Sequence, residues 1–144
     1  MTCYTGYTIV LGANPETLLH SSLERNEREA CMTATTLAHH LQSMALGVEA
    51  LMSDYTDKSV LLTPDGPIRG LDGIGAFFTN FLTTSPPALL EAIRLLRQDI
   101  EGEVAYIVWQ AEPFIPLATD TFVIRDGKII VQTFAAFMPP PTGS

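Results

Sequence analysis

Charge is scarce in this sequence. Asp, Glu, Lys and Arg together make up 17% of its 144 residues, against about 25% in an average soluble domain. Cations are scarcest, with eight Lys plus Arg against sixteen Asp plus Glu and a net charge of -8. Nucleic acids and anionic membranes are held largely by Lys and Arg neutralising phosphates, so neither is expected as a partner. Long apolar runs are missing too. No stretch approaches the roughly 20 residues of a transmembrane helix, and residues 1–10 lack the basic start and apolar core of a signal peptide. A cytoplasmic location is the expectation. Cysteine is limited to Cys3 and Cys31, with no CxxC and no metal-type spacing, so two free thiols in a reducing compartment are expected. The sequence holds no HExxH, P-loop, GxGxxG or Ser/His/Asp arrangement. His39 and His40 are adjacent on a helical segment; they point about 100° apart and do not chelate one metal in the usual way. Neither a metal nor an organic cofactor is expected.

What the sequence does have is apolar residues, 47% of the chain, in a length that suits one domain with one core. Three parts are expected: an extension over residues 1–31, a domain over 32–138 and a tail over 139–144. In the extension, Asn14 reads as an N-cap and Pro15 as the first helical position, but the helix that follows is charged from Glu24 to Glu29. From Thr33 onward Leu37, Leu41 and Met44 recur at helical spacing, Gly47 interrupts, and Val48, Leu51, Met52 and Tyr55 continue. A third helix carries Ile74, Phe77, Phe78 and Phe81 and stops before Ser85-Pro86-Pro87. The second half turns to β-type sequence, with strands over 104–111, 121–124 and 128–137 and a hairpin turn at Asp126-Gly127. Helices followed by strands indicate an α+β domain with an antiparallel sheet. Residues 88–100 (ALLEAIRLLRQDI) read by propensity as a helix.

The run from Val48 to Asp57, the turn Pro64-Asp65-Gly66-Pro67, then Gly70, Ile74, Phe77-Phe78, Thr119-Asp120-Thr121-Phe122 and Arg125-Asp126-Gly127-Lys128-Ile129 together resemble the nuclear transport factor 2-like superfamily. Within it the pattern is most similar to SnoaL-like polyketide cyclases and ketosteroid isomerases. The resemblance implies a cone-shaped α+β barrel, three helices packed into a curved antiparallel sheet around an apolar pocket, and a homodimer through the sheet face. It also implies that residues 88–100 form a strand, in place of the helix that propensity suggests. The superfamily hosts several chemistries and non-catalytic binding modules, so it does not by itself define an activity.

Asp120 is the first candidate for chemistry. It lies among apolar residues and on alternation shares a strand face with Phe122 and Ile124. A carboxyl so placed has a raised pKa and serves as acid/base near neutral pH; the alternative is a buried aspartate satisfied by backbone or hydroxyl groups. The resemblance implies a pocket aspartate there, which ketosteroid isomerases keep protonated to stabilise an enolate oxygen. It also puts Thr63 where those isomerases carry their base and His39 where they carry an oxyanion tyrosine. Threonine does not take a proton from carbon, so His39 is the expected helper, as oxyanion donor or proton shuttle. Trp109 and Ala111 occupy the positions of the limonene epoxide hydrolase pair, which excludes that activity. Gln110 and Glu112, with Val108, line the pocket if the register holds; a one-residue slip turns Trp109 inward instead. Tyr55, Phe77, Phe78 and Phe122 complete the expected lining. The sequence thus points to a cofactor-independent enzyme moving protons on a small apolar carbonyl compound. The alternative is a binding or dimerisation module of the same fold.

Overall fold

The structure is a computed structural model and describes residues 15–140, with side chains from residue 21 onward. Its elements run α1 (Pro15–Ser43), α2 (Val48–Met52), β1 (Tyr55–Thr63), β2 (Gly66–Arg69), α3 (Gly70–Thr84), α4 (Pro87–Glu91), β3 (Ile93–Glu101), β4 (Val104–Ala111), β5 (Ile115–Arg125) and β6 (Lys128–Phe137). Six strands form one sheet in the order β2-β1-β6-β5-β4-β3. β1 runs parallel to β6, and every other pairing is antiparallel. The expected antiparallel sheet is therefore a mixed one, and it ends at two edges, β2 and β3, so the cone is open rather than a closed barrel. The parallel pair arises because β1 and β6 are joined through the rest of the fold and no short hairpin forces them antiparallel.

α1 crosses residues 31 and 32 without a break, so the division drawn there falls inside a helix. Asn14 lies outside the described residues. Gly47 stops the first helix as expected: at φ 106° it N-caps α2, a backbone setting that other residues rarely adopt. Residues 88–100 split. Pro87–Glu91 form one helical turn and Ile93–Glu101 a strand paired with β4 from Ile93↔Ala111 to Glu101↔Val104. Pairing with β4, with one irregularity between Leu95 and Arg97, outweighs the local helix preference of the second part, which is how tertiary context usually overrides propensity. Cys31 is disulfide-bonded, which corrects the expectation of free thiols; Cys3, the other cysteine of the sequence, lies outside the described residues. Spacing alone did not show this, because disulfides depend on which Cβ atoms the fold brings together. Among the described residues, no helix is long and apolar enough to cross a membrane.

The main core lies between the helices and the concave face of the sheet: Leu37, Leu51, Leu61, Ile74, Phe122 and Ile129 are fully buried. α1 is tied to the β3–β4 turn by Thr33. Its buried hydroxyl lies 2.6 Å from the carbonyl oxygen of Gly102 and 2.8 Å from that of Glu29. Gly102 has φ +55°, a left-handed setting that favours glycine in this turn. Thr33→Val keeps the shape and removes the donor. It is expected to cost about 1–2 kcal/mol, measured by urea unfolding.

Candidate active site

The concave face encloses a cavity of about 300 Å³ lined by α1 (His40, Leu41, Met44), α3 (Phe77, Phe78, Phe81), β3 (Ile93, Leu95), β4 (Ile107, Trp109), β5 (Asp120, Phe122) and β6 (Gln132, Phe134). This volume is at the lower end of small-molecule pockets. Aromatic rings dominate the wall, with Trp109 and Phe134 stacked at 6.3 Å and Phe77 set edge-on to Phe78. Among the described residues that line it, Asp120 is the only carboxylate, and no Lys or Arg joins it.

Strand alternation brings Asp120 here. In β5 Ala118, Asp120, Phe122 and Ile124 all point inward and are buried, as their spacing predicts. Trp109 Nε1 donates to Asp120 Oδ1 at 2.8 Å, and Gln132 Nε2 donates to Oδ2 at 2.7 Å. The Tyr55 hydroxyl donates in turn to Gln132 Oε1. Burial raises the Asp120 pKa from 3.8 to about 6, while the two donated hydrogen bonds pull it down. The carboxyl thus changes charge close to neutral pH, where a general acid or base is most effective.

The residue facing it from α1 is His40, not His39. His40 is 3% exposed, with its ring set edge-on to Tyr55, Phe78 and Phe122. Its Nδ1 is buried with no hydrogen-bond partner. Burial, with a smaller contribution from the neighbouring His39, lowers its pKa to about 4, so the imidazole is neutral at physiological pH. His39, rotated about 100° further round the helix, has a half-exposed side chain whose Nδ1 lies 2.8 Å from Asp54 Oδ2; it does not line the cavity. The helical stripe carried the signal, since His40 lies three residues after Leu37 and four before Met44, both apolar, whereas His39 falls among Thr35, Thr36, Gln42 and Ser43.

Of the other expected lining residues, Phe77, Phe78 and Phe122 are in the wall. Tyr55 is in the buried core and reaches Asp120 through Gln132. Val108, Gln110 and Glu112 are not in the wall. In β4 the buried positions are Ala105, Ile107 and Ala111, so the face that holds Trp109 is the inner one and Val108 and Gln110 take the other. Glu112 is exposed just past the end of the strand. One residue of register decides all three. Trp109 inward is the alternative register named from the sequence, while Gln132 and His40 are the site residues that the sequence reading missed.

No protein-family model matches this chain, and no curated protein does either. Solved structures do. A SnoaL-like protein of unknown function from Burkholderia thailandensis E264 is 15% identical, covers 74% of this chain and 95% of its own, and has a TM-score of 0.61. A protein from Kribbella flavida DSM 17836 named after ketosteroid isomerase is 14% identical, with 78% and 85% covered and a TM-score of 0.57. A de novo designed protein with a curved β-sheet is 10% identical, with 74% and 85% covered and a TM-score of 0.61. The chain has the α+β cone fold of nuclear transport factor 2-like and SnoaL-like proteins. At these identities the likeness shows the fold alone, and a fold does not define an activity.

Proposed function

We propose that this protein is a cofactor-independent acid/base catalyst acting on a small, uncharged, apolar carbonyl compound, in a reaction of the isomerase, cyclase or dehydratase type. The observation that carries the reading is a buried carboxylate, poised near neutrality, in a cavity whose wall is mostly apolar and aromatic. In this reading Asp120, ionised above about pH 6, takes a proton from the carbon beside the carbonyl. His40, neutral, donates an N–H to the oxygen on which charge develops, and Asp120 returns the proton to another carbon or to a leaving hydroxyl. A neutral imidazole suits that role because it gives up no proton of its own to a weakly basic enolate.

The test is a panel of bicyclic β,γ-unsaturated ketones, whose isomerisation to the conjugated enone raises ultraviolet absorbance. Asp120→Asn is expected to lower turnover by about a hundred- to ten-thousandfold, with the circular dichroism spectrum unchanged; equal rates would refute the role. The wild-type kcat/KM is expected to rise with pH and level off above about 6, as a base with the pKa of Asp120 requires. A carboxylate of the same skeleton is expected not to bind at pH 8, because the cavity wall has no cation to offset two like charges.

A second reading rests on the hydrogen bonds that Trp109 and Gln132 already give both oxygens of Asp120. A carboxylate so satisfied also suits a non-catalytic binding module, for which a co-purifying ligand without turnover is the expected finding. In either reading the proposed assembly is a homodimer. On the convex face the cross-strand rows Tyr106, Thr121, Thr133 and Val108, Thr119, Ala135 of β4, β5 and β6 carry no charge; in β3 the same rows end on Asp99 and Arg97, which pair with each other, and an uncharged patch with such a rim suits pairing with its own copy. Thr121→Arg is expected to halve the mass measured by light scattering.

A further inference from the structure

The hydrogen bonds that converge on Asp120 run in one direction. The Tyr55 hydroxyl donates to Gln132 Oε1, which leaves the Gln132 NH₂ end to donate to Asp120 Oδ2 at 2.7 Å. All three side chains are at most 6% exposed, so bulk water does not compete for these partners. The two ends of a glutamine amide have nearly the same shape and opposite hydrogen-bonding character. With NH₂ toward Asp120 the pair favours a carboxylate, which accepts. Turned over, Oε1 faces Asp120 and favours a carboxylic acid, which donates. The group at the far end of the amide is the Tyr55 hydroxyl.

We propose that Tyr55 is a positioning residue: its buried hydroxyl gives its proton to Gln132 Oε1 and would lose that acceptor if the amide turned over, so it holds the Gln132 amide with NH₂ toward Asp120 and favours the ionised carboxylate, the base form. Tyr55 suits this because burial, then the charges of Asp120 and Asp54, hold its hydroxyl above the usual tyrosine range, and it stays a donor across the accessible pH range. The titratable groups facing Asp120 are few. α1 contributes His40 and β1 contributes Tyr55, while the wall residues of α3, β3, β4 and β6 contribute none. Asp54 acts on Tyr55 from the other side, paired with His39. The charge state of Asp120 is thus decided by burial against two donors, and one of the donors is oriented by Tyr55.

The test needs no substrate, so its outcome is separate from that of the turnover assay. The full chain labelled with ¹³C at aspartate side-chain carbonyls is titrated by NMR as wild type, Tyr55→Phe, Gln132→Leu and the double variant. Asp120 is expected to titrate near pH 6 in the wild type and about half a unit or more higher in each single variant. The double variant is expected to match Gln132→Leu alone, because Tyr55 acts only through the amide. Leu61→Val, in the same buried core as Tyr55 but outside the cavity wall, is expected to leave the titration in place. An unchanged titration in Tyr55→Phe, additive shifts in the double variant, or an equal shift in Leu61→Val would each overturn the proposal. Uniform incorporation of 3-fluorotyrosine provides a measurement without any substitution. It supplies a stronger donor of nearly the same shape and is expected to lower the Asp120 titration; a rise would equally overturn the proposal.

Discussion

Asp120→Asn is expected to make the protein more stable at pH 8 by about 2 kcal/mol, in the same variant that loses turnover. The sign follows from linkage. Asp120 titrates at about 6 in the folded protein against 3.8 for an ordinary aspartate, so folding favours its protonated form. Its favourable contribution is complete below pH 3.8 and is lost as pH rises through 6. Above that, keeping the buried carboxylate ionised costs about 3 kcal/mol. Asparagine removes that cost but introduces a smaller one. Its NH₂ group would face the Gln132 NH₂, so the Gln132 amide turns over and the Tyr55 hydroxyl loses its acceptor, at about 1 kcal/mol. Relief of the buried charge outweighs the lost hydrogen bond. Urea unfolding at pH 8 and pH 4 checks it: the advantage is expected at pH 8 and absent at pH 4, and a variant less stable than wild type at pH 8 would contradict the buried-charge account. A gain in stability with a loss of activity is the usual mark of a group kept for chemistry rather than for folding.

The second large effect is one that the wild type hides. His40 has its pKa lowered from 6.5 to about 4. Its contribution is complete above pH 6.5 and is lost as pH falls through 4, worth about 3 kcal/mol. Asp120 acts over nearly the same window with the opposite sign and a similar size. Between pH 4 and 6.5 the two are expected to cancel, leaving wild-type stability almost flat with respect to these two groups. Removing either exposes the other. Asp120→Asn is expected to gain about 3 kcal/mol in unfolding free energy as pH rises from 4 to 6.5, and His40→Leu to lose about as much over the same range. Parallel denaturant series at four pH values read this directly. Two variants with the same slope would show that the residues do not titrate as their burial requires. Leucine at position 40 also removes the unpartnered Nδ1, so this variant is expected to be folded and not merely disrupted.

Much of this site could be read in the sequence, because periodicity is a local property. The alternation Ala118, Asp120, Phe122, Ile124 places the carboxyl inside whatever the rest of the chain does, and its desolvation follows from those neighbours. Phe77 and Phe78 reach the wall through the apolar face of α3 in the same way. His40 was equally legible, since the stripe through Leu37 and Met44 passes through it. The resemblance to ketosteroid isomerases, taken without gaps, pointed one residue away to His39.

What the sequence by itself determined is helices in the first half and strands in the last third, the charge-poor composition that calls for a large apolar interior, and the inward direction of Asp120. Tertiary structure decided the rest. The β4 register turned Trp109 in and Gln110 out, and the pairing of β6 with β5 set Gln132 opposite Phe122 and within reach of Asp120. It also made residues 93–101 a strand and bonded Cys31. Each of these depends on which distant segment lies alongside, and a one-residue change of pairing reverses a strand face without altering any local preference. Local sequence supplied the carboxylate, while the donors that tune it come from two other strands, so their effect exists only once the sheet is assembled.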